Sequence, residues 1–324
     1  MTGSPETLVI GIDLGGSKMA AGLVDGRLAI IESLEVRTPI ESQESLIAGI
    51  LSLVRGLVSR APAPVSAAGF GIPSMIDQVR GRAVMSVNIP LADFDFVRHI
   101  SGELGLPVFI DNDANVAALA EATAGAAAGA REVIMITLGT GIGGGIITGG
   151  EVYRGATGSA AELGHMVIDV NGPRCQGACE NYGCFETMAS GTALARYAAI
   201  YAEKEPDSAL GKAAAAGMML DGRLVCRLAR QGDPAALKVM DLIGFYLGVG
   251  ITNLVNIFNP EVLVVGGGLM GAGGLILDPA KKILAQRGLR PNRDVVRVTA
   301  AGFGPEAGVI GAACLALREL KKGR

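Results

Sequence analysis

The feature that most narrows what this chain can become is a repeat of itself. Residues 9–28, VIGIDLGGSKMAAGLVDGRL, align without a gap to residues 133–152, VIMITLGTGIGGGIITGGEV, at an offset of 124. Six of the twenty positions are identical: Val, Ile, Ile, Leu and two Gly, the second pair being Gly26 and Gly150. Each copy reads as an apolar strand closed by a polar residue (Asp13 or Thr137), a glycine-rich turn and a second strand. Any two glycine-rich hairpins look somewhat alike, but the shared closing glycine favours a true duplication. A duplication predicts two similar lobes facing one cleft.

The rest of the chain fits an α/β protein, because short β-branched runs alternate with longer Ala/Leu-rich stretches. Strands are expected at 7–13, 21–24, 28–36, 66–71, 107–110, 132–138, 144–148 and 261–265. Helices are expected at 43–60, 93–104, 114–128, 187–202, 234–256 and 306–321. The lobe boundary is placed near residue 115 and the last helix is returned to the first lobe. The expected domains are therefore 1–115 plus 305–324, and 116–304.

Half of the 324 residues are hydrophobic and 18% are charged, which allows a sizeable core. A net charge of −3 offers no basic field for nucleic acid or an anionic membrane, so small substrates fit better. The segment Met1–Glu6 has no positive charge and no long apolar run follows it, so no signal peptide is expected. No run approaches the roughly 18 apolar residues of a membrane span. A cytoplasmic protein is expected, in which disulfides are rare.

Against that background the glycine turns carry chemistry. In Asp13-Leu14-Gly15-Gly16-Ser17-Lys18 the glycines let backbone N–H groups approach phosphate oxygens, and Asp13 is placed to hold Mg²⁺ or its water. Neither a Walker A loop nor a dinucleotide fingerprint is present, since a second strand follows the turn. With Thr140, Gly141, Gly143 and Gly144 of the second copy, the pair reads as a nucleotide clamp. Gly266, Gly267 and Gly268 follow the strand Val262–Val265 and suit a flat ring or ribose of adenosine; a turn needing φ > 0 would use the same residues.

Asp111-Asn112-Asp113-Ala114-Asn115 joins a strand to an Ala-rich helix. Asp and Asn are preferred N-caps. The same turn also suits a general base, Asp113, beside a sugar hydroxyl, with Asn112 fixing a neighbouring one. Further on, His165 precedes Cys175, Cys179 and Cys184, three of the five cysteines. Three thiols and an imidazole complete a structural Cys₃His zinc site, whereas without metal they would be three buried thiols. Such a site would pin a loop presenting Glu162 and Glu186, carboxylates suited to vicinal hydroxyls. His99, Cys226 and Cys314 lie in expected helices and read as packing residues.

These motifs resemble the ROK family (repressor, open reading frame, kinase), and within it the bacterial glucokinase branch of sugar kinases. GIDLGGSKMAAGLVD at 11–25 and TLGTGIGGGI at 137–146 are similar to the two phosphate motifs; NIPL at 88–91 and IDNDANVAALAE at 110–121 to the substrate segment. AAELGHMVID at 160–169 resembles the GELGH box, CENYGCFETMASG at 179–191 the cysteine signature, NPEVLVVGGGL at 259–269 the adenosine motif and GPEAGVIGAA at 304–313 the last helix. The resemblance implies an actin-like ATPase (ribonuclease H-like) fold, two α/β lobes around an active-site cleft. It also implies ATP-dependent phosphorylation of a hexose, glucose above fructose, mannose, N-acetylglucosamine or N-acetylmannosamine, or a non-catalytic sugar sensor. The catalytic base falls on Asp113; sugar contacts fall on Asn88, Asn112, Glu162, His165 and Glu186; zinc ligands fall on His165, Cys179 and Cys184. Gly177 stands where the usual first cysteine would be, so Cys175, two residues earlier, is expected to take its place. The phosphate motif begins by residue 11, so the repressors' N-terminal helix-turn-helix is not expected and the kinase reading is preferred. Relatives assemble as dimers or tetramers, so a homodimer or homotetramer is implied.

Overall fold

The computed structural model describes residues 6–86, 88–177 and 179–323. The first five residues of the expected first domain, and Arg324 at its other end, lie outside the described residues. In the first unit β1 (Leu8–Leu14), β2 (Lys18–Val24) and β3 (Ile30–Arg37) run antiparallel to one another. Helix α1 (Gln43–Val58) begins at a capping box between Ser42 and Ser45 and leads to β4 (Val65–Ile72), parallel to β1. A small antiparallel sheet follows, made of β5 (Ser74–Asp77), β6 (Arg82–Ser86) and β7 (Ala92–Phe94). Then come α2 (Phe96–Leu104), β8 (Val108–Asn112) parallel to β4, and α3 (Asp113–Ala124).

In the second unit β9 (Val133–Leu138) pairs with β10 (Ile142–Thr148), which carries the chain back into the first unit to pair with β11 (Glu151–Val152). Five helices follow: α4 (Phe185–Ala189), α5 (Gly191–Lys204), α6 (Ala209–Ala215), α7 (Gly222–Arg230) and α8 (Pro234–Phe258). Next are β12 (Val262–Gly266), α9 (Gly274–Arg287), α10 (Asn292–Val295) and β13 (Arg297–Ala300). Helix α11 (Ala307–Lys322) belongs to the first unit again.

The two large sheets have the same plan, β3-β2-β1-β4-β8 and β11-β10-β9-β12-β13. Each starts from one copy of the sequence repeat, folded as a hairpin, and adds two parallel strands on the far side of its first strand. Duplication in sequence is duplication in topology. The first unit runs up to Arg131, takes back Gly145–Ala161 and resumes at Gly302. It therefore includes all of α3, which a boundary at residue 115 cuts in two. The physical reason is that α3 packs against α11 through Val116, Leu119 and Ala120.

Other differences from the expected elements have local causes. The helix expected over 187–202 is broken at Ser190, which ends α4 and caps α5 by accepting from the Ala193 N–H. The helix expected from 93 starts at Phe96, after β7. The strands of the small sheet, and β13, are short and amphiphilic and carry little period-two signal. One helix, α8, is long and apolar enough to cross a membrane by length and composition, but most of it is buried among its neighbours, as in a core helix.

Strand β1 alternates strictly. Leu8, Ile10, Ile12 and Leu14 face α1 and α2, packing with Leu46, Ile50 and Phe96, while Val9 faces Val309 and Ala313 of α11. On the α11 side the backbones nearly touch. A Cβ on Gly11 would coincide with the Val309 carbonyl oxygen, one on Gly69 with that of Ala312, and one on Gly311 with that of Val116. Gly311→Ala is therefore expected to destabilise by about 1–3 kcal/mol through overpacking. Gly102→Ala, on α2 with no atom near its added methyl, should stabilise by about 0.5–1 kcal/mol. Thermal melting of the two variants beside wild type checks the pair, and equal shifts would contradict the close approach.

Candidate functional site

Polar residues gather at the carboxyl ends of three parallel strands in the first unit. Asp13 on β1 is level with Gly71 on β4, and Gly71 with Asp111 on β8. Ligands of open α/β sheets collect at such ends. The turn after β1 is braced by buried Thr38, whose Oγ1 donates to the Gly15 carbonyl at 2.6 Å and whose N–H donates to the Ser17 carbonyl at 3.1 Å. Gly16 faces Asn88, so that a Cβ there would lie 3.2 Å from the Asn88 carbonyl oxygen. Ser17 and Lys18 are exposed, and the Lys18 ammonium pairs with Glu35 at 2.7 Å.

Strand β8 runs directly into α3, and the turn separates two roles. Asn112 is the N-cap: its Oδ1 accepts from the N–H groups of Ala114 (2.9 Å) and Asn115 (3.3 Å), and its Nδ2 lies 3.5 Å from the Ser74 carbonyl. Asp113 is the first helical residue, with Oδ1 accepting from the Ala114 N–H at 2.9 Å. Burial pushes the Asp113 carboxyl up, against the pull of that N–H. Burial, with Asp113 adding to it, also pushes Asp13 up to about 6, opposed by Lys18.

In the second unit the hairpin between β9 and β10 is held from outside. Gly191 N–H donates to the Gly139 carbonyl at 2.8 Å and Thr192 Oγ1 to the Thr140 carbonyl at 2.8 Å. Gly143 and Gly144 continue it as part of β10. Gly266 ends β12 level with Thr137, the repeat partner of Asp13. Gly267 has φ 90°, so the turn does need a glycine there, and Gly268 lines a cavity. That cavity, about 1160 Å³, is bounded by Gly139, Thr140, Thr192, Cys226, Arg227 and Leu269, and it has room for a nucleoside.

Glu162 precedes a short 3₁₀ turn, Leu163–His165. The His165 Nδ1 lies 3.6 Å from Cys175 Sγ, Cys179 Sγ lies 3.9 Å from Cys184 Sγ, and all four ligand atoms fall within 4.8 Å of one another. A tetrahedral ion with Zn–S bonds of about 2.3 Å sets its ligands about 3.8 Å apart, so the set fits one zinc. Gly177 takes a left-handed turn, φ 62°, and the cluster includes Cys175 in its stead. Burial pushes the thiols of Cys175 and Cys184 up, while the Asn181 N–H draws Cys179 down. Enclosed thiols of this kind give up their protons to a cation. Glu186 joins the cluster to the hairpin: Cys175 Sγ donates to its Oε1 at 3.2 Å and the Ile142 N–H to its Oε2 at 3.4 Å, beside Gly141. His165 Nε2 lies 4.0 Å from Glu162.

Some residues at these sites carried no signal that sequence reasoning could use. Asp111 looked like one more capping residue, yet it is 1% exposed and bound to Arg154. Cys226 sits in a helix, as expected, but lines the cavity. Asp221 at the head of α7, where its side chain accepts from Leu224 N–H, is the one local cue that α7 existed. Cys314 does pack within the α11 core, whereas His99 is exposed, with its ring edge-on to Phe94.

A model of the ROK family matches residues 9–319. A glucokinase of Streptomyces coelicolor is 38% identical over 315 residues, covering 95% of this chain and 97% of its own. The crystal structure of a ROK family glucokinase from Streptomyces griseus, in complex with glucose and AMPPNP, superposes with a TM-score of 0.82 at 37% identity, over 96% of this chain and 99% of that one. The ROK hexokinase of Thermus thermophilus superposes with a TM-score of 0.80 at 35% identity, over 98% of this chain and 100% of its own.

The raised Asp13 carboxyl has a consequence for stability. Its ordinary value is 3.8 and its folded value about 6, so within that window the folded chain holds a proton the unfolded chain has lost. Stability therefore falls as pH rises through the window. Asp13→Asn should raise the melting temperature at about pH 7.5 and leave it nearly unchanged at about pH 4. A melting temperature that drops at both values would contradict the burial argument.

Proposed function

The chain belongs to the ROK family, and from that footing we propose that it transfers the γ-phosphoryl group of ATP to a hexose hydroxyl, with glucose as the acceptor. It is an ATP-dependent hexokinase of the glucokinase type. The observation that carries this reading is Asp113, a half-buried carboxyl at the head of α3 that its surroundings push up, one residue past the cap. A general base works best when its pKa lies nearer the working pH than that of a free carboxylate. The relatives named glucokinase, and the one solved with glucose and AMPPNP, support both substrates.

The roles follow the chemistry of phosphoryl transfer, which depends on positioning and on offsetting charge. In the first unit the candidate contacts to hexose hydroxyls are Asn88, Asn112 and Asp113; in the second unit the candidates are Glu162, His165 and Glu186. Asp113 takes the proton of the attacking hydroxyl as its oxygen bonds to the γ-phosphorus and ADP leaves in line. Backbone N–H groups at Gly16, Ser17, Thr140, Gly141, Gly143 and Gly144 donate to phosphate oxygens, Gly15 shapes the turn with its own N–H on the Lys18 carbonyl, and the Lys18 ammonium turns from Glu35 toward the phosphates. Gly268 lines the adenosine cavity, and Gly266 and Gly267 lead the chain from β12 to it. Mg²⁺, when bound, offsets charge on the phosphates, and Asp13 is the carboxylate placed to hold it or its water.

His165, Cys175, Cys179 and Cys184 would hold one structural Zn²⁺, their ligand atoms all lying within 4.8 Å of one another. With Nδ1 toward the thiols, His165 keeps a single tautomer and presents Nε2 toward the hexose. The enzyme works in the cytoplasm, where its five cysteines stay reduced and free to ligate.

A coupled assay of ADP release on adding glucose tests the activity, run beside fructose, mannose, N-acetylglucosamine and N-acetylmannosamine. Asp113→Asn should lower kcat by about 10²–10⁴-fold with the ATP KM nearly unchanged. A variant with near-normal kcat would dismiss Asp113 as the base. Tight hexose binding without turnover of any hexose by the wild type would make the protein a sensor. For the metal, purified protein should carry about one zinc per chain. Cys175→Ser should lose zinc and raise the hexose KM more than the ATP KM. Full occupancy with an unchanged hexose KM would remove Cys175 from the ligand set.

A further inference from the structure

Asp111 is the last but one residue of β8, two before Asp113, and is 1% exposed. A carboxylate in so dry a place keeps its charge only when that charge is offset and its lone pairs are filled. Both conditions are met. Arg154 places Nε at 2.8 Å and Nη2 at 2.6 Å from Asp111 Oδ2. Asp111 Oδ1 accepts from the Asn112 N–H at 2.8 Å and from Asn115 Nδ2 at 2.9 Å. Four donors thus hold the carboxylate, and it in turn holds the peptide that leads into Asn112 and Asp113. The arginine arrives from far along the chain, on the stretch Gly145–Ala161 that rejoins the first unit.

Lone surface ion pairs contribute little, but this one is enclosed on its acid side and only about a quarter exposed on its basic side. The turn it anchors is short. Asn112 spends its Oδ1 on the cap, and Asp113 is steadied from within the turn itself, its Oδ1 accepting from the Ala114 N–H. The direction of the base is thereby left to the backbone of the turn, which is what Asp111 fixes.

We propose that Arg154, acting through Asp111, is a positioning residue for Asp113: the ion pair sets the turn that aims the base at the hydroxyl. This rests on the reading of Asp113 as the base. Misplacement of a catalytic group by about 1 Å costs about 10²-fold in rate, which is the effect expected when the anchor is lost.

A double-mutant cycle tests it. Arg154→Met should lower kcat by about 10²-fold with the ATP KM unchanged, and Arg154→Lys, which keeps the charge, should recover part of the loss. In the Asp113→Asn background the same Arg154→Met change should cost almost nothing further, because an anchor without a base has nothing to aim. Should Arg154→Met fail to fold, Asp111→Asn with Arg154→Met removes the stranded charge. That pair should melt near wild type and still show the low kcat, whereas a merely structural arginine would recover kcat along with stability. Additive losses in the cycle, or wild-type kcat in the folded pair, would overturn the proposal and leave the base standing. Near-normal kcat in Asp113→Asn alone would instead remove the base, and this proposal with it.

Discussion

The backbone of α11 lies directly on the backbones of β1 and β4, and much of the first unit depends on that approach. Gly11 and Gly69 on the strands meet the carbonyl oxygens of Val309 and Ala312, and Gly311 on the helix meets that of Val116 on α3. Side chains at these three positions would push the layers apart. With none there, α11 draws α3 against the sheet, and Asp113 at the head of α3 comes close enough to Asp13 for their charges to interact. Gly308 extends the same seam, since a Cβ there would collide with the Asp13 carboxylate. Burial raises both acids, and the Asp113 charge adds to the rise of Asp13, a pattern typical of functional sites.

A second enclosed acid fixes where the chain re-enters that unit. Glu121 is fully buried on α3 and accepts from the N–H groups of Ala126 (2.7 Å), Gly302 (2.9 Å) and Phe303 (3.0 Å). It ties the end of α3 to the first residues after the return at Gly302. Glu186 does comparable work in the second unit, with one oxygen toward Cys175 and the other toward the hairpin N–H of Ile142. In both cases a buried carboxylate keeps its place by collecting donors from segments that are distant in sequence.

The repeat, the two hairpins, the cysteine cluster and the turn at Asp113 were all legible in the chain, because each is local. A glycine turn, a cap and a set of thiols ten residues long declare themselves within one window. Asn112 and Asp113 were legible as a pair but not as separate roles, since either satisfies the cap preference. Only the geometry of the Ala114 and Asn115 N–H groups gives the cap to Asn112. The small sheet of β5, β6 and β7, the cavity wall on α7 and the extent of the first unit were not legible, since each depends on partners far along the chain.

The sequence by itself determined that there are two hairpins of one design and the family to which they belong, and it named the candidates for phosphate, hydroxyl and metal chemistry. It did so because these functions require particular residue types at short, fixed spacings. Tertiary structure alone decided that Arg154 neutralises Asp111, that Glu186 links thiol and hairpin, and that Cys226 faces a cavity. The first two are pairings across 43 and 44 residues, and nothing in the local chemistry of a lone arginine or glutamate names its partner. The partner is chosen when the sheets stack and the buried charges and donors must be matched.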